Sequence, residues 1–444
     1  MKRSALVALL LSACFAAPAF ADDRAANLAI GDPARRDRSV AVVLDGITDA
    51  ARGDTIGPAD LAARLDGVKL LFVGESHVDM DFHRVQLEVL RQLERRGRHV
   101  LIGLEMYPVP EQPWLDRWHA DRRMTEERFL ADSRWYKNWG YNWNYYRDIF
   151  LFAREKGIRM FAVNLPRAAV STIRAKGFDS LSAEHRAMLP PKVELENSEH
   201  QQLFRAFFDD EDALHGRMPD DMFKGMFRAQ CGWDAAMGWN ALQALKKYGD
   251  EKSIMVVLIG SGHVAYGLGA ERQVKPWFDG RTASVLPMPV AEEPGGKIIE
   301  KVQASYANFV WGLPPSADPI YPSIGIATPE TKSGGRFKVI NVAKESPAEV
   351  AGLKTGDELV SIDGLPLADK ETMHRRMATK RWGDDVAFEI VREGRAMGLT
   401  VHLRRRPPKP AAADSAAAGA KKPEAPAHPA MPPRSPAPAG GGGR

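Results

Sequence analysis

The hydrophobic positions in the first two thirds of the chain form short apolar runs, separated by longer segments with a helical pattern. The clearest of these runs are "KLLFVG", "HVLIGLEMY", "IRMFAVN", "SIMVVLIG" and "ASVLPMPV". Runs of this length predict strands, and the segments between them predict helices. Because the strands are apolar on both faces, residues 40–290 are predicted to form an α/β domain with a mostly parallel sheet covered by helices on both faces.

The rest of the chain has a different pattern. Residues 291–322 contain several prolines and glycines and predict a connector. Residues 323–405 contain short strand patterns, one helix and a closing hairpin, which predict a small β-rich domain. Residues 406–444 are rich in Pro, Ala and Gly, cannot bury a core and are predicted to be disordered. A polar segment, residues 22–39, precedes the α/β domain.

The N-terminus has the pattern of a secretion signal. Two basic residues precede the apolar stretch "ALVALLLSACFAA", and "AFA" offers a cleavage site before Asp22. Residues 1–21 are therefore predicted to be a signal peptide, which places the mature protein in the periplasm or cell envelope. In the competing interpretation, "LSAC" is a lipobox, and Cys14 is lipidated and anchors the protein to the outer membrane.

The composition excludes some classes of protein. The formal net charge is +4, and the basic residues form no concentrated stripe, so a nucleic-acid partner is not expected. Of the two cysteines, Cys14 is removed or acylated under either processing route, which leaves Cys231 without an intramolecular disulfide partner. The fold must therefore be stabilised by its hydrophobic core.

Polar side chains follow four of the predicted strands, at the point where each strand ends. Because the carboxyl ends of parallel strands lie at one edge of a sheet, we expect these side chains to meet there and form a site. They are Glu75, His77, Glu105, Tyr107, Asn164, Arg167 and His263.

Two predicted helices direct further polar groups inward. In the helix that begins near Asp79, a helical wheel places Asp79 and Gln86 within the apolar arc and His83 on its flank. In the helix of "GMFRAQCGWDAAMGWNALQAL", Gln230 lies within the inner stripe and Asp234 lies at its edge. Inward polar groups need hydrogen-bond partners, so these residues are predicted to support the site.

The residue types at this edge are compatible with three kinds of chemistry. Glu75, His77 and His263 suit a divalent transition metal such as Mn, Co or Zn, because imidazole and carboxylate are both good ligands. Alternatively, Glu75 and Glu105 act as an acid and a base.

Haem is the third option. Its iron takes His or Tyr, and its propionates need a cation such as Arg167. The candidate residues are His77, His263, Tyr107, Tyr141, Tyr145 and Tyr266. The segment "WYKNWGYNWNYY" offers an aromatic wall, although aromatic residues of this kind also build ordinary cores.

Five sequence blocks resemble the ChaN-like haem-binding uptake family, a branch of the Tiki superfamily, and they occur in the family's order. They are "LLFVGESHVDMDFHRVQLEVL", "LIGLEMY", "YRDIFLFAREKGIRMFAVNLPRAAV", "AQCGWDAAMGWNAL" and "VVLIGSGHVAYGLGAERQV". The resemblance implies that a shared pocket is lined by Glu75, His77, Glu105, Gln230, Asp234 and His263. It also implies haem binding and iron acquisition at a bacterial envelope. Other branches of the superfamily are metal-dependent proteases and erythromycin esterases, so a hydrolase stays open.

The segment "SPAEVAGLKTGDELVSIDGLPL" resembles a bacterial PDZ domain that covers residues 323–405. The resemblance implies that a peptide C-terminus adds a strand to the sheet edge. The helix around Met373 and Met377 would form the second wall of the peptide groove. The loop that caps the peptide carboxylate would consist of Ser323, Ile324, Gly325 and Ile326, although "SIGI" departs from the usual Gly-Leu-Gly-Phe.

The leading hypothesis from the sequence is an exported haem- or iron-binding protein of an envelope iron-acquisition system. Its PDZ domain would dock it to a protein C-terminus. The alternative is an exported metal-dependent hydrolase or peptidase, in which Glu75 or Glu105 activates water and the PDZ domain recruits the substrate. A homodimer that shares haem between two chains is left open.

Overall fold

The computed structural model describes residues 23–207, 219–290, 299–315, 319–329 and 335–405. All of them lie in one of the chain's two units, Met1–Arg405. The predicted signal peptide, with Cys14, and the predicted disordered tail, residues 406–444, lie outside the described residues. No helix in the described ranges is long and apolar enough to cross a membrane.

The strands of the N-terminal part form an eight-stranded sheet with the order β3-β2-β10-β8-β4-β7-β5-β6, while β1 pairs with β9. The six strands from β10 to β6 are parallel, and β2 and β3 add antiparallel pairs at one end. This confirms the mostly parallel sheet. The strands are β1 Ser39–Val43, β2 Ile47–Asp49, β3 Asp54–Ile56, β4 Val68–Glu75, β5 His99–Pro108, β6 Arg159–Asn164, β7 Ser253–Gly260, β8 Arg281–Pro289, β9 Ile299–Gln303 and β10 Phe309–Leu313.

Helices cover both faces of this sheet. They are α1 Asp23–Ala26, α2 Pro58–Arg64, α3 Met80–Arg95, α4 Gln112–Ala120, α5 Glu126–Asp132, α6 Trp135–Asn138, α7 Arg147–Lys156, α8 Arg167–Lys176, α9 Ala183–Arg186, α10 Ser198–Ala206, α11 Asp220–Tyr248 and α12 Ala270–Val274.

Strand β4 shows why the predicted strands are apolar throughout. Leu71 and Val73 point into a core shared with α3 and α7, whereas Leu70 and Phe72 point into a second core shared with α11 and α12. Side chains alternate between the two faces of a strand, so a sheet covered on both sides needs apolar residues at every position.

The predicted connector is only partly a connector. Within residues 291–322, β9 pairs with β1, and β10 pairs in parallel with β8 and so extends the main sheet. The sequence pattern missed β10 because its five residues, "FVWGL", lie between proline- and glycine-rich stretches. Tertiary pairing, and not local periodicity, defines this strand.

The C-terminal part is β-rich, as predicted, and has its own hydrophobic core around Phe337, Val386 and Phe388. Its edge strand β11 pairs with β13, and β12, β14, β16 and β17 form the larger sheet. Its elements are β11 Ile326–Ala327, β12 Phe337–Lys338, β13 Asn341–Val342, α13 Pro347–Val350, β14 Glu358–Ile362, β15 Leu365–Pro366, α14 Lys370–Ala378, β16 Asp385–Arg392 and β17 Arg395–His402.

Candidate functional site

Three neighbouring parallel strands deliver the polar side chains to one edge of the main sheet. Strand β7 lies between β4 and β5 and ends at Gly260, opposite Glu75. Glu75 approaches from the α3 side of the sheet. Leu104 and Met106, the neighbours of Glu105 on β5, point to that same side, so Glu105 approaches from the opposite, α11 side. The two carboxylates therefore converge beyond the end of β7, where His263 follows in the next turn.

The tightest cluster consists of Glu75, His77 and Glu105. Each residue offers one ligand atom, and these atoms lie within 4.8 Å of one another. Nδ1 of His77 lies 2.7 Å from Oε1 of Glu75, and the hydroxyl of Tyr146 donates a 2.8 Å hydrogen bond to the same oxygen. Oε2 of Glu75 is buried without a hydrogen-bond partner, although Nδ1 of His83 lies 3.3 Å away. Oε1 is therefore held in place by His77 and Tyr146, whereas Oε2 lies beside the imidazole of His83.

The electrostatics of this cluster favour charged groups. Burial opposes the ionisation of Glu75, but the imidazoles of His83 and His77 outweigh it and hold the pKa of Glu75 well below its usual range. Burial also disfavours protonated His77, but the hydrogen bond to Glu75 and the charge of Glu105 raise the pKa of this imidazole. A negative field thus surrounds His77, as expected for a cation-binding site.

His263 is oriented by groups from α11. Its Nδ1 lies 2.6 Å from Oδ1 of Asp234, and its Nε2 lies 3.6 Å from Oε1 of Glu105. Asp234 is fully buried, so its carboxylate retains the proton on Nδ1 and leaves Nε2 as the nitrogen that faces the site. The side-chain amide of Gln230 donates to Oδ1 of Asp234 at 3.4 Å. Both α11 residues predicted from the helical wheel thus lie beside His263.

Two residues behind Asp234 were not predicted from the sequence. The guanidinium of Arg272 donates a 3.0 Å hydrogen bond to Nδ1 of His200, which therefore carries its proton on Nε2. That Nε2 lies 3.6 Å from Oδ2 of Asp234, a buried oxygen without a hydrogen-bond partner. Burial lowers the pKa of His200 to about 4. No local pattern marks His200, because only the packing of α10 against α11 brings it here.

His83 is closer to the site than its position on the helical wheel predicted. It is buried, its ring centroid lies 4.3 Å from that of Tyr146, and it contacts both Glu75 and the side-chain carbonyl of Gln86. Gln86 in turn donates to the carbonyl of Val73. His83 is buried there because α3 packs with that flank against the strand that carries Glu75.

Asp79 caps α3 and accepts a 2.9 Å hydrogen bond from the backbone N–H of Asp81. Burial raises the pKa of Asp79. The inward position of Asp79 is therefore explained by its role as the N-terminal cap of α3.

Tyr107 does not lie at the site, which corrects its prediction as a haem ligand. It is completely buried, its hydroxyl is hydrogen-bonded to Ser133, and burial raises its pKa. The pairing of β5 with β6 is irregular between Leu104 and Pro108. Met106 and Tyr107 consequently pack in the same core, and the alternation that would have placed Tyr107 beside Glu105 is broken.

Arg167 lies at the rim. Its guanidinium donates a 3.4 Å hydrogen bond to the carbonyl of Asn138, at the end of α6. Asn164, the last residue of β6, donates a hydrogen bond from its side-chain amide to the carbonyl of Glu105. This bond fixes the backbone of β5 at Glu105.

The predicted aromatic wall is divided between two roles. Trp139 and Tyr141 place their ring centroids 4.8 and 5.0 Å from that of His77. Trp135 and Trp143, from the same stretch, pack in the core against Phe150. One part of the stretch thus borders the site, and the other stabilises the fold.

Comparison with known families assigns both parts of the chain. Residues 61–274 match the family described as haem-binding uptake, Tiki superfamily, ChaN, and residues 322–403 match the PDZ domain family. The chain contains a ChaN-like domain and a PDZ domain. The resemblance identified from the sequence blocks is therefore confirmed.

Three relatives illustrate these similarities. RETICULATA-RELATED 5, a chloroplastic protein of Arabidopsis thaliana, is 24% identical over 29% of this chain and 18% of its own length. The carboxy-terminal processing protease CtpB of Bacillus subtilis is 33% identical over 18% of this chain and 17% of its own length. The chain thus spans less than a fifth of either curated relative. The solved structure of cofacial haem binding to ChaN of Campylobacter jejuni covers 60% of this chain and 95% of its own, with 15% identity and a TM-score of 0.47.

The predicted carboxylate loop of the PDZ domain lies directly before its edge strand. Gly325 has a positive φ of 80°, and its carbonyl accepts a 2.8 Å hydrogen bond from Ala343. The side chain of Ile324 is buried in the PDZ core. Ser323 is exposed, and Ile326 begins β11. The loop is thus anchored on one side, and β11 pairs with β13 alone among the described strands.

Proposed function

We propose that the ChaN-like domain binds haem, with His77 as the ligand to the iron. The presentation of His77 is the observation that carries this proposal. Its side chain is 13% exposed, its Nδ1 contacts Glu75, and Trp139 and Tyr141 flank its ring. A carboxylate on Nδ1 orients an imidazole and increases its basicity, which leaves Nε2 as the ligating atom.

The residues present fit an iron centre. Gly260 leaves the space beside His77 open, because a Cβ at this position would lie 3.2 Å from Cε1 of the imidazole and 3.6 Å from Oε2 of Glu105. The aromatic rings of Trp139 and Tyr141 provide apolar surface next to His77. Bound haem would supply an iron centre, and the chain would supply the axial nitrogen and a negative field that stabilises a cation.

The setting that we propose is an iron-acquisition system of a bacterial envelope. Support comes from the predicted signal peptide, residues 1–21, and from the lipobox around Cys14. The PDZ domain would dock the protein to the C-terminus of a partner, which would add a strand at β11.

Haemin titration of the purified full-length protein tests the leading proposal. We expect a saturable change in the Soret band for the wild type and its loss in His77→Ala. Tyr107→Phe is the matched control, because Tyr107 was predicted as a ligand but lies buried away from the site, and its titration should equal that of the wild type. Loss of the Soret change in Tyr107→Phe with retention in His77→Ala would refute the assignment of the ligand.

A second candidate function is metal-dependent hydrolysis. It is favoured by the three ligand atoms of Glu75, His77 and Glu105, which lie within 4.8 Å of one another. A divalent ion would act there as a Lewis acid. The chain would contribute His263 as a proton carrier at Nε2, oriented by Asp234.

Elemental analysis separates the two candidates. If the protein is a metal-dependent hydrolase, it should retain a stoichiometric divalent metal such as Mn, Co or Zn after dialysis and lose it in Glu75→Gln. If it is a haem protein, it should retain no stoichiometric divalent metal and should bind haemin. In the hydrolase case the PDZ domain would recruit the peptide substrate.

A further inference from the structure

A single stretch of chain, which we call the aromatic segment, residues 134–146, joins the candidate site to the PDZ domain. On its inner side, Trp139 and Tyr141 contact the ring of His77. Tyr146 donates a hydrogen bond to Glu75. The inner side of the segment therefore forms part of the site.

The outer side of the aromatic segment carries the PDZ helix α14. Nδ1–H of His374 donates a 2.9 Å hydrogen bond to the carbonyl of Tyr136, and the side-chain amide of Asn142 donates a 3.1 Å hydrogen bond to the carbonyl of Ala378. Arg134 and Glu371 form an ion pair at 3.9 Å. Contacts to α14 and contacts to the site thus alternate along the same residues.

Gly140 shows how closely the helix approaches. It lies between Trp139 and Tyr141, has a φ of 91°, and a Cβ built on it would lie 2.7 Å from Nδ1 of His374. A side chain at this position would collide with the PDZ helix, and the backbone conformation favours glycine. The helix therefore rests on the backbone that joins the two rings next to His77.

The chain that leads into the carboxylate loop is tied to the same segment. Tyr321, two residues before the carboxylate loop, donates its N–H to the hydroxyl of Tyr145 at 3.3 Å, and the two rings pack with centroids 5.0 Å apart. The ring of Tyr145 also lies 5.7 Å from that of His83. The guanidinium of Arg381, just beyond α14, stacks over Tyr321 at 5.0 Å.

We propose that the PDZ domain regulates access to the site through the aromatic segment. A peptide seated between β11 and α14 would contact α14, which holds the aromatic segment, and would pair with the chain that follows Tyr321. Docked α14 keeps Trp139 and Tyr141 against His77, and release of α14 opens the site to exchange of its ligand. By linkage, a ligand at His77 and a peptide in the groove change each other's affinity. The coupling rests on the proposed function in one respect only, that a ligand binds beside His77.

Hydrogen–deuterium exchange of the full-length protein without ligand tests the contact itself. His374→Phe keeps an aromatic ring but removes the donor to Tyr136. Asn142→Asp removes the donor to Ala378 but keeps the oxygen that accepts from the backbone of Asn144. We expect amides of residues 134–146 to exchange about fivefold faster in each variant, as the loss of one hydrogen bond implies.

Arg376→Ala is the matched control, because Arg376 lies on the same helix but pairs with Asp363 inside the PDZ domain. Its exchange in residues 134–146 should equal that of the wild type. Unchanged exchange in both His374→Phe and Asn142→Asp would overturn the proposal, as would equal acceleration in the control.

Haem release provides the functional readout. Transfer of haem from the loaded protein to an excess of a haem scavenger should be about fivefold faster in His374→Phe than in the wild type or Arg376→Ala. Equal transfer rates in all three proteins would contradict regulation of access. If the wild type binds no haemin, the proposed haem function fails, and the exchange experiment on the ligand-free protein still decides whether the PDZ helix holds the segment.

Discussion

The hydroxyl of Tyr146 donates a 2.8 Å hydrogen bond to Oε1 of Glu75, the same oxygen that Nδ1 of His77 contacts at 2.7 Å. The carboxylate is completely buried, so these two contacts replace part of the hydration that it loses on folding. They also fix the orientation of the carboxylate beside His77. Tyr146 therefore positions the carboxylate of Glu75. It comes from the start of α7 and not from the end of a strand.

Tyr146→Phe should destabilise the ChaN-like domain by about 1.5–3 kcal/mol, the cost of removing a hydrogen bond to a charged group. Urea unfolding measures the change in the free energy of unfolding. Tyr145→Phe is the control, because the hydroxyl of Tyr145 accepts a 3.3 Å bond from the backbone of Tyr321 and bonds to no charged group within the described part of the chain. That variant should lose about 1 kcal/mol or less. Equal losses would show that Glu75 does not depend on Tyr146.

The stability of the protein should fall in acid because of His200. Its pKa is about 4 in the folded protein, below the value of 6.5 for a free imidazole, so protonation favours the unfolded chain. The stabilisation is fully present above pH 6.5 and is lost as the pH falls towards 4. The raised pKa values of His77 and His263 act in the opposite direction, with stabilisation that is lost as the pH rises.

Comparison with His200→Gln isolates the contribution of His200. The difference in unfolding free energy between wild type and variant should change by on the order of 3 kcal/mol between pH 6.5 and pH 4. A difference that stays constant over this range would show that His200 titrates normally in the folded protein.

If the site binds a divalent metal with Glu75, His77 and His263 as its ligands, Asp234→Asn should weaken that binding by about 10–100-fold, because the amide no longer retains the proton on Nδ1 of His263. Calorimetric titration with Co²⁺ measures this affinity. Glu271→Gln is a suitable control, since Glu271 is a buried carboxylate hydrogen-bonded to Thr282 outside the site. Weakening of the same size in Glu271→Gln would indicate a general loss of stability and no specific role for Asp234.

The PDZ domain should bind peptides that end in an apolar residue with a free carboxylate, and it should not bind the same peptides when they are amidated. The reason is that backbone N–H groups of the loop Ser323–Ile326 would hold the carboxylate while the peptide pairs with β11. Fluorescence anisotropy with a set of labelled C-terminal peptides tests this prediction. Equal binding of free and amidated peptides would show that the loop Ser323–Ile326 does not bind the peptide carboxylate.

The sequence predicted those features that depend on local patterns. Strand β7 was bounded correctly because its residues from Ile254 to Ile259 are all apolar. Glu75, His77 and His263 were placed at one edge because parallel strands end together. The position of Tyr107 could not be predicted, because the irregular part of β5 turns Tyr107 into the same core as its neighbour Met106.

His200, Tyr146 and the docking of His374 on Tyr136 arise from contacts between segments that are distant in the chain. Such contacts leave no trace in the periodicity of a single sequence. For the same reason β10 was hidden within the predicted connector, because its partner β8 defines it.

Native mass spectrometry of the full-length protein, incubated with equimolar haemin and Mn²⁺, tests the central claim most directly. The account predicts that the wild type gains the mass of haem, that His77→Ala gains none, and that Tyr107→Phe behaves like the wild type. A wild-type protein that gains only the divalent ion, and loses it in Glu75→Gln, would contradict haem binding and favour the hydrolase.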